Sequence, residues 1–569
     1  MSQGVNGLGT GSMPGRRRRR REAVVALTVA VLAGAACSDD GDKQSGGAET
    51  TDASSGTIAA TTATAAESTT PGSAAETTAA PSTTGTSTPA ATYAQNPCPS
   101  PNYPGVPQLD LGPDFTCGTL TVPEDRSDAS SATITIPVAI AKAQSPDPQP
   151  DPILYLAGGP GGTGLVTAVQ RVADGWNRDR DVVFIDQRGT YHAEPRLSCP
   201  EIDMFAVESL AFAATAPEAG PKSAAATKAC RDRLAADGWD LPAFDTLENA
   251  ADIADLRVAL GIDEWNVYGV SYGSDLALQL LRDHPEGIRS VIVDSVVPPQ
   301  RNLIGAFWPS AAQGYGALFA ACAAQPDCQA VFPDLEQEFR GLVVELAASP
   351  RTITIPDPAG GADLSVVVDG YALANTVVVA SLRPGAIAEV PAMIHDLATG
   401  GGTKIATTMA GGVPPVDVTG YGLTFGVFCG EQVAATTAAD VKVQAEAALP
   451  DFPADVLSLT PQAAHIFGDC GAWDVPRVDG PVRDATTSDV PTLLLTGDLD
   501  AITPPSGADL AAETLSDSTV LRFPGAGHDV MIWSAACAVD VMYAFLDANG
   551  GDFDHSCVDT LQAPPFATS

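Results

Sequence analysis

The sequence predicts an α/β fold, a mostly parallel sheet with helices on both faces and a mainly helical cap inserted late in the chain. Three observations predict it. Short apolar runs at 153–156, 182–186, 265–269 and 288–294 alternate with helical patterns, the order that a parallel sheet with crossover helices imposes. An Ala-rich stretch from 296 to 488 separates Asp294 from the next strand-like run near Val490. At the centre stands Gly269-Val270-Ser271-Tyr272-Gly273, with a strand pattern before it and a helix pattern after it.

The elements follow in chain order. Arg16 to Arg21 form a positive block, and Ala23 to Ala36 are nearly all apolar before Cys37. This is the build of a signal peptide over residues 1–37, too short to span a bilayer comfortably. Cys37 is a candidate for lipidation. Residues 38–95 are Ser, Thr, Ala, Gly and Pro with almost no large apolar side chains. Such a segment cannot bury enough surface to fold, so it reads as a disordered linker. The first part of the core spans 96–295. Within it, Ala132 to Ala141 alternates apolar and polar, as an early antiparallel strand would. Asn249 to Leu260 carries Ile253, Leu256 and Leu260 at helical spacing. The cap spans 296–488, with Phe307, Trp308 and Tyr315 reading as its own core aromatics. The core resumes over 489–569 with strands at Val490–Thr496 and Ser518–Phe523.

Strand, Gly-x-Ser-x-Gly and helix together form a nucleophile elbow, the turn that exposes a serine oxygen in α/β-hydrolases. Its glycines are required because the turn is too tight for a Cβ. The helix that follows points its positive end at any anion formed there. A nucleophilic serine needs a base, and the base needs an orienting carboxylate. The chain holds six histidines. His192 precedes the serine and His284 lies too close to it in sequence. His395 and His465 fall in the cap, and His555 in a polar tail. His528 follows the last strand in Pro524-Gly525-Ala526-Gly527-His528 and has the required order. The acid should follow the preceding strand, in Gly497-Asp498-Leu499-Asp500. Asp500 is favoured, and Asp498 is assigned an Asx-type bond to the loop backbone. Ala157-Gly158-Gly159-Pro160-Gly161-Gly162 would let backbone N–H groups reach an oxyanion. The expected donors are the N–H groups of Tyr272 and Gly159. A nucleotide-binding loop is the competing reading, but the Lys-Ser/Thr ending and the fingerprint spacing are missing.

These motifs resemble the proline iminopeptidase-type serine peptidases, most closely the secreted tripeptidyl aminopeptidases. The resemblance rests on Gly-Gly-Pro-Gly-Gly, on Val182 to Thr190 with Asp186-Gln187-Arg188-Gly189, and on Arg196 to Pro200. It continues through Cys322 and Cys328, Asp500 to Pro504, and Gly525 to His528, covering about residues 95–560. By position it implies Ser271 as nucleophile, Asp500 as acid and His528 as base. This chain departs at Ala157, where those relatives usually have His, and at Tyr191-His192-Ala193-Glu194. Both departures bear on substrate preference.

Setting Cys37 aside leaves ten cysteines of eleven, and an even count in an exported chain reads as disulfides. The sequence does not fix connectivity. The simplest assignment pairs neighbours: Cys98–Cys117, Cys199–Cys230, Cys322–Cys328, Cys429–Cys470 and Cys537–Cys557. No Cys-x-x-Cys or suitable His spacing supports a metal, and no cofactor is expected. A formal net charge of −39 argues against nucleic acid as a partner.

The expected function is an exported serine hydrolase of the secreted or cell-envelope space, acting on peptides near their N-termini. A membrane would be met only through a lipid on Cys37. An aminopeptidase must also hold a free ammonium group, for which a cap carboxylate is needed; Glu431 is the expected one. A carboxylesterase with the same triad is the alternative chemistry. A non-catalytic envelope-binding protein on the same scaffold is the alternative class.

Overall fold

The computed structural model describes residues 90–100, 111–357 and 360–569. The signal-peptide region, Cys37 and most of the expected linker lie outside the described residues.

Among the described residues, eleven strands form two sheets. In chain order they are β1 (Thr92–Gln95), β2 (Phe115–Pro123), β3 (Thr133–Ala141), β4 (Ile153–Leu156), β5 (Val182–Ile185), β6 (Trp265–Val270) and β7 (Ile288–Asp294). They continue with β8 (Arg351–Ile355), β9 (Leu364–Val368), β10 (Thr492–Gly497) and β11 (Ser518–Phe523). The main sheet has nine strands in the order β1-β2-β3-β5-β4-β6-β7-β10-β11. β1, β2 and β3 pair antiparallel, and β3 meets β5 antiparallel. From β5 to β11 every pairing is parallel.

The parallel strands read as continuous apolar runs because both of their faces are covered. Alternation then decides which side each residue packs on. Leu154, Leu156, Val183, Val267 and Val293 join one core. Ile153, Tyr155, Phe184, Tyr268 and Ile292 join the other. The helix before the elbow, Thr246–Leu260, starts where Asp245 accepts the Glu248 N–H (2.8 Å) and ends at left-handed Gly261. This is an N-cap and a C-cap at the two points where helices need them.

The sequence reading needs one correction at the front. Thr92–Gln95, assigned to the linker, is the edge strand of the main sheet. Four residues of Thr, Tyr, Ala and Gln carry too little apolar signal to stand out. Their stability comes from backbone bonds to β2 and from Tyr93, whose ring sits where a Cβ on Gly118 would lie 2.3 Å away.

Between β7 and β10 the chain builds helices and the separate β8-β9 hairpin. Trp308 and Tyr315 are buried there, and Tyr315 packs edge-on against Phe339 at 4.9 Å. These aromatics are packing residues, as their spacing suggested.

Candidate active site

Ser271 joins β6 to the helix Tyr272–Asp283 with φ 56° and ψ −125°. That backbone region is strained for a residue with a Cβ. Close packing enforces it. A Cβ on Gly269 would lie 2.0 Å from the Gly273 carbonyl oxygen, and one on Gly273 would lie 2.2 Å from that of Leu156. Only glycines fit on either side of the serine.

His528 and Asp500 meet on the loops that follow the last two strands. The His528 Nδ1 lies 2.9 Å from Asp500 Oδ2. Asp500 is fully buried and His528 nearly so. Asp500 Oδ1 accepts the N–H groups of Ile502 (2.8 Å) and Thr503 (2.9 Å), and Oδ2 accepts the Thr503 hydroxyl (2.7 Å). Burial alone would raise this carboxyl. The His528 charge and these hydrogen bonds outweigh burial and hold it below the usual carboxylate value. Burial alone would likewise lower His528; Asp500, with Asp529 and Asp294 beyond it, raises it instead. The Asx-type backbone bonds expected at Asp498 are made by Asp500, because the chain turns at Thr503 and not directly after the strand. The histidine backbone is clamped as well. Its N–H donates to Ser381 O (2.8 Å) and its carbonyl accepts the Trp533 indole N–H (3.0 Å).

The glycine-rich loop lies against the serine. A Cβ on Gly158 would sit 2.7 Å from the Ser271 Cβ, so Gly158, which sequence reasoning passed over, is the residue that abuts it. Gly159 has φ 128°, and a Cβ there would lie 2.8 Å from the Gly161 and Gly162 nitrogens. Gln187 fixes the loop from below by donating to Ala157 O (2.8 Å), and Thr424 donates to Pro160 O (2.7 Å). Tyr272, one residue past the serine, turns its hydroxyl toward Thr246 (3.1 Å) and Asn249 (3.3 Å).

Glu431 ends on the same Thr246. It accepts the Thr246 N–H (2.8 Å) and hydroxyl (2.9 Å) and is 2% exposed. It lies in a π-helical turn, Phe428–Gln432, next to the Cys429–Cys470 disulfide. Burial, and then the neighbouring Asp245 and Asp275 carboxylates, push its carboxyl well above the ordinary value. No ion pair to Glu431 forms among the described residues. A cavity of about 490 Å³ borders the Gly370–Ala380 helix, whose C-cap Ser381 accepts the His528 N–H. Its walls include Phe205, Phe212, Tyr371, Met409 and His465 and no carboxylate.

All five neighbour pairings are disulfides, with S–S distances of 1.91–2.08 Å. The Cys199, Glu201 and Cys230 group is therefore no metal site, since both sulfurs are bonded to each other. His192 pairs with Asp186 (2.7 Å), not with Asp500. Thr503 and Gln187 were missed from sequence; both lie inside the motifs that carried the resemblance.

Comparison with known proteins agrees with this fold. Residues 151–331 match the family described as alpha/beta hydrolase fold, and residues 457–557 match that described as TAP-like protein. The chain is 32% identical over 211 residues to a tripeptidyl aminopeptidase of Streptomyces coelicolor. That match covers 34% of this chain and 37% of the relative's length. It is 24% identical over 478 residues to the serine protease Hip1 of Mycobacterium tuberculosis, covering 79% of this chain and 88% of that one. A probable proline iminopeptidase of Streptomyces coelicolor is 26% identical over 221 residues, covering 36% of this chain and 54% of its own length. With its parallel strands, its glycine-flanked serine turn and these matches, the chain has the α/β-hydrolase fold and is similar to the tripeptidyl aminopeptidase and proline iminopeptidase-type serine peptidases.

Proposed function

We propose that the protein is an exported serine hydrolase, an aminopeptidase that releases short peptides from the N-termini of its substrates. The observation that carries this reading is the His528–Asp500 pair, set on strand-end loops of the sheet that also presents the strained Ser271. With Nδ1 held by Asp500, His528 has Nε2 left to take the Ser271 proton. Ser271 attacks the scissile carbonyl, and His528 returns the proton to the leaving amine. Water then releases the acyl-enzyme by the same proton path. The developing oxyanion meets the N–H of Tyr272 and an N–H of the glycine-rich loop, Gly159 being the expected donor.

Glu431 is the proposed partner of the substrate ammonium. It makes no ion pair among the described residues; Asp245 and Asp275 raise its carboxyl while Arg483 lies within electrostatic reach, and a bound ammonium would relieve the repulsion among the three carboxylates. The 296–488 segment serves as the cap, and the mixed cavity at the end of the Gly370–Ala380 helix, with Phe205, Tyr371, Asn375 and Arg383 among its walls, gives room for a substrate side chain. Export is supported by five disulfides in the described core and by the charged and apolar N-terminal stretches before Cys37. Among the described residues no helix is long and apolar enough to cross a membrane.

The test is turnover of purified protein on matched aminoacyl, dipeptidyl and tripeptidyl anilides beside a p-nitrophenyl ester. Anilide turnover that depends on Ser271 and on a free α-amine supports the reading. Ester turnover alone makes the protein an esterase.

A further inference from the structure

We propose that Asp294 is a positioning residue that ties the serine turn and the histidine loop into one unit; the inference rests on the serine-hydrolase reading above. Asp294 is the last residue of β7, the strand between β6, which carries Ser271, and β10, which leads to Asp500. In register it faces Val270 on one side and Leu495 on the other. Its main chain and its side chain serve different loops. The carbonyl accepts the Ser271 N–H (2.9 Å). The carboxylate, fully buried, accepts the Val530 N–H on Oδ1 (3.1 Å) and the Met531 N–H on Oδ2 (3.4 Å). The Tyr268 hydroxyl donates to Oδ2 (2.7 Å) and the Ser295 hydroxyl to Oδ1 (3.2 Å).

Ser295 completes the clamp. It has φ 53°, donates its N–H to Leu495 O (3.0 Å), and its hydroxyl accepts the Asp529 N–H (2.8 Å). The three N–H groups that directly follow His528 therefore all end on the 294–295 pair. Asp529 itself is left-handed, and its carboxylate is paired with buried Arg171 (2.7 Å). Without these anchors the turn after His528 would be held by Ser381, Trp533 and the Asp529–Arg171 pair.

A buried carboxylate is costly. Here burial, with Asp529 close by, pushes the acid up to about 7. Such a group persists where its donors need an acceptor with two oxygens and four lone-pair sites. Its carboxylate bonds Tyr268, Ser295, Val530 and Met531, while the His528 ring bonds Asp500, so Asp294 is not a second triad acid. It acts chiefly through the backbone, by keeping the ring where the serine hydroxyl can reach it, and its charge adds to the field that raises His528. A displacement of about 1 Å can cost about a hundredfold in rate.

The experiment uses the full mature chain and compares Asp294→Asn, Tyr268→Phe and wild type. Three readouts are taken: steady-state kinetics on a tripeptidyl anilide, amide hydrogen exchange by mass spectrometry, and labelling of Ser271 by a fluorophosphonate. Asp294→Asn should lower kcat by about 10- to 100-fold with KM within about twofold. Exchange should rise at 529–531 and stay unchanged in β4, β6 and β10. Tyr268→Phe removes one donor and nothing else, so a loss of about 3- to 10-fold is expected; it decides the matter if Asp294→Asn does not fold. Unchanged exchange at 529–531, or a rise spread over the whole sheet, overturns the proposal. Absent Ser271 labelling in wild type overturns the serine-hydrolase reading instead, and the exchange data still judge Asp294.

Discussion

Two buried carboxylates of this protein stand in opposite conditions. Asp500, on the loop after β10, has a histidine and three further hydrogen-bond donors, and its carboxyl is held low. Glu431, in the inserted segment, has two donors from one threonine and carboxylates for neighbours, and its carboxyl is driven up. Burial is the same; the partners differ. At Asp500 the charge is built and aimed before any substrate arrives, which is what a transition state forming on His528 requires. At Glu431 the fold disfavours the charge. On the proposed function, the difference separates chemistry in the core from recognition in the insertion.

The chemical half breaks under the largest effects. Ser271→Ala, and separately His528→Ala, should reduce turnover by about a thousandfold or more with the fold intact, measured as kcat with circular dichroism alongside. Asp500→Asn should cost less than either and far more than Asp498→Asn, because the loop's donors converge on Asp500. Equal losses at 498 and 500 would move the acid. Near-wild-type turnover in Ser271→Ala would end the comparison altogether.

The recognition half should show next. Acetylating a substrate's α-amine removes the cation proposed to pair with Glu431. Losing one partner of a buried charge pair typically costs about 2–5 kcal/mol, or roughly 30-fold to several thousandfold. Rates on free and acetylated tripeptidyl anilides measure it. Glu431→Gln should shrink that gap, mainly by slowing the free substrate. A wide gap that survives Glu431→Gln keeps the aminopeptidase but assigns the amine to another acid, with Asp245 and Asp275 next in line.

The core half of this division was legible in the sequence, and the insertion half was much less so. Parallel strands such as Val182–Ile185 announce themselves because both faces are apolar, and the elbow because its glycines have no substitute. Chain order singled out His528 among six histidines. Neighbour pairing found every disulfide in the described core because each closes a loop of at most 41 residues. What stayed hidden is what pattern does not encode. β1 has almost no apolar residues and is stabilised by its neighbour. Gly158 and Gly159 are equivalent in sequence, and only packing against Ser271 tells them apart. Asp294 reads as an ordinary strand end until the loop after His528 folds onto it.

Acid should dissect the two sites by rate. His528 must be neutral to accept a proton, and Asp500 raises its affinity for one. Activity should therefore fall as pH drops through a value above that of an ordinary histidine. Asp500→Asn removes the carboxylate that raises it, so the midpoint of the acid limb in log kcat/KM should move to lower pH. An unmoved limb would mean that another group sets it.

The smallest effect is on stability, and its sign is opposite at the two carboxylates. A carboxyl held low in the fold adds stability above its unfolded value, lost as pH falls through the folded one. Asp500 is of this kind. A carboxyl raised in the fold binds its proton more tightly when folded. Stability then declines as pH climbs from the ordinary value of 4.5 toward the raised one. Glu431 is of this second kind. Glu431→Gln keeps an acceptor for the Thr246 N–H, and the Thr246 hydroxyl can turn to accept from the new amide. The variant should thus gain stability over wild type at neutral pH and lose that advantage near pH 4.5. Thermal unfolding midpoints across this range measure it. A variant less stable than wild type at neutral pH would mean that Glu431 is already satisfied as an anion, and would remove the reason to expect a cation there.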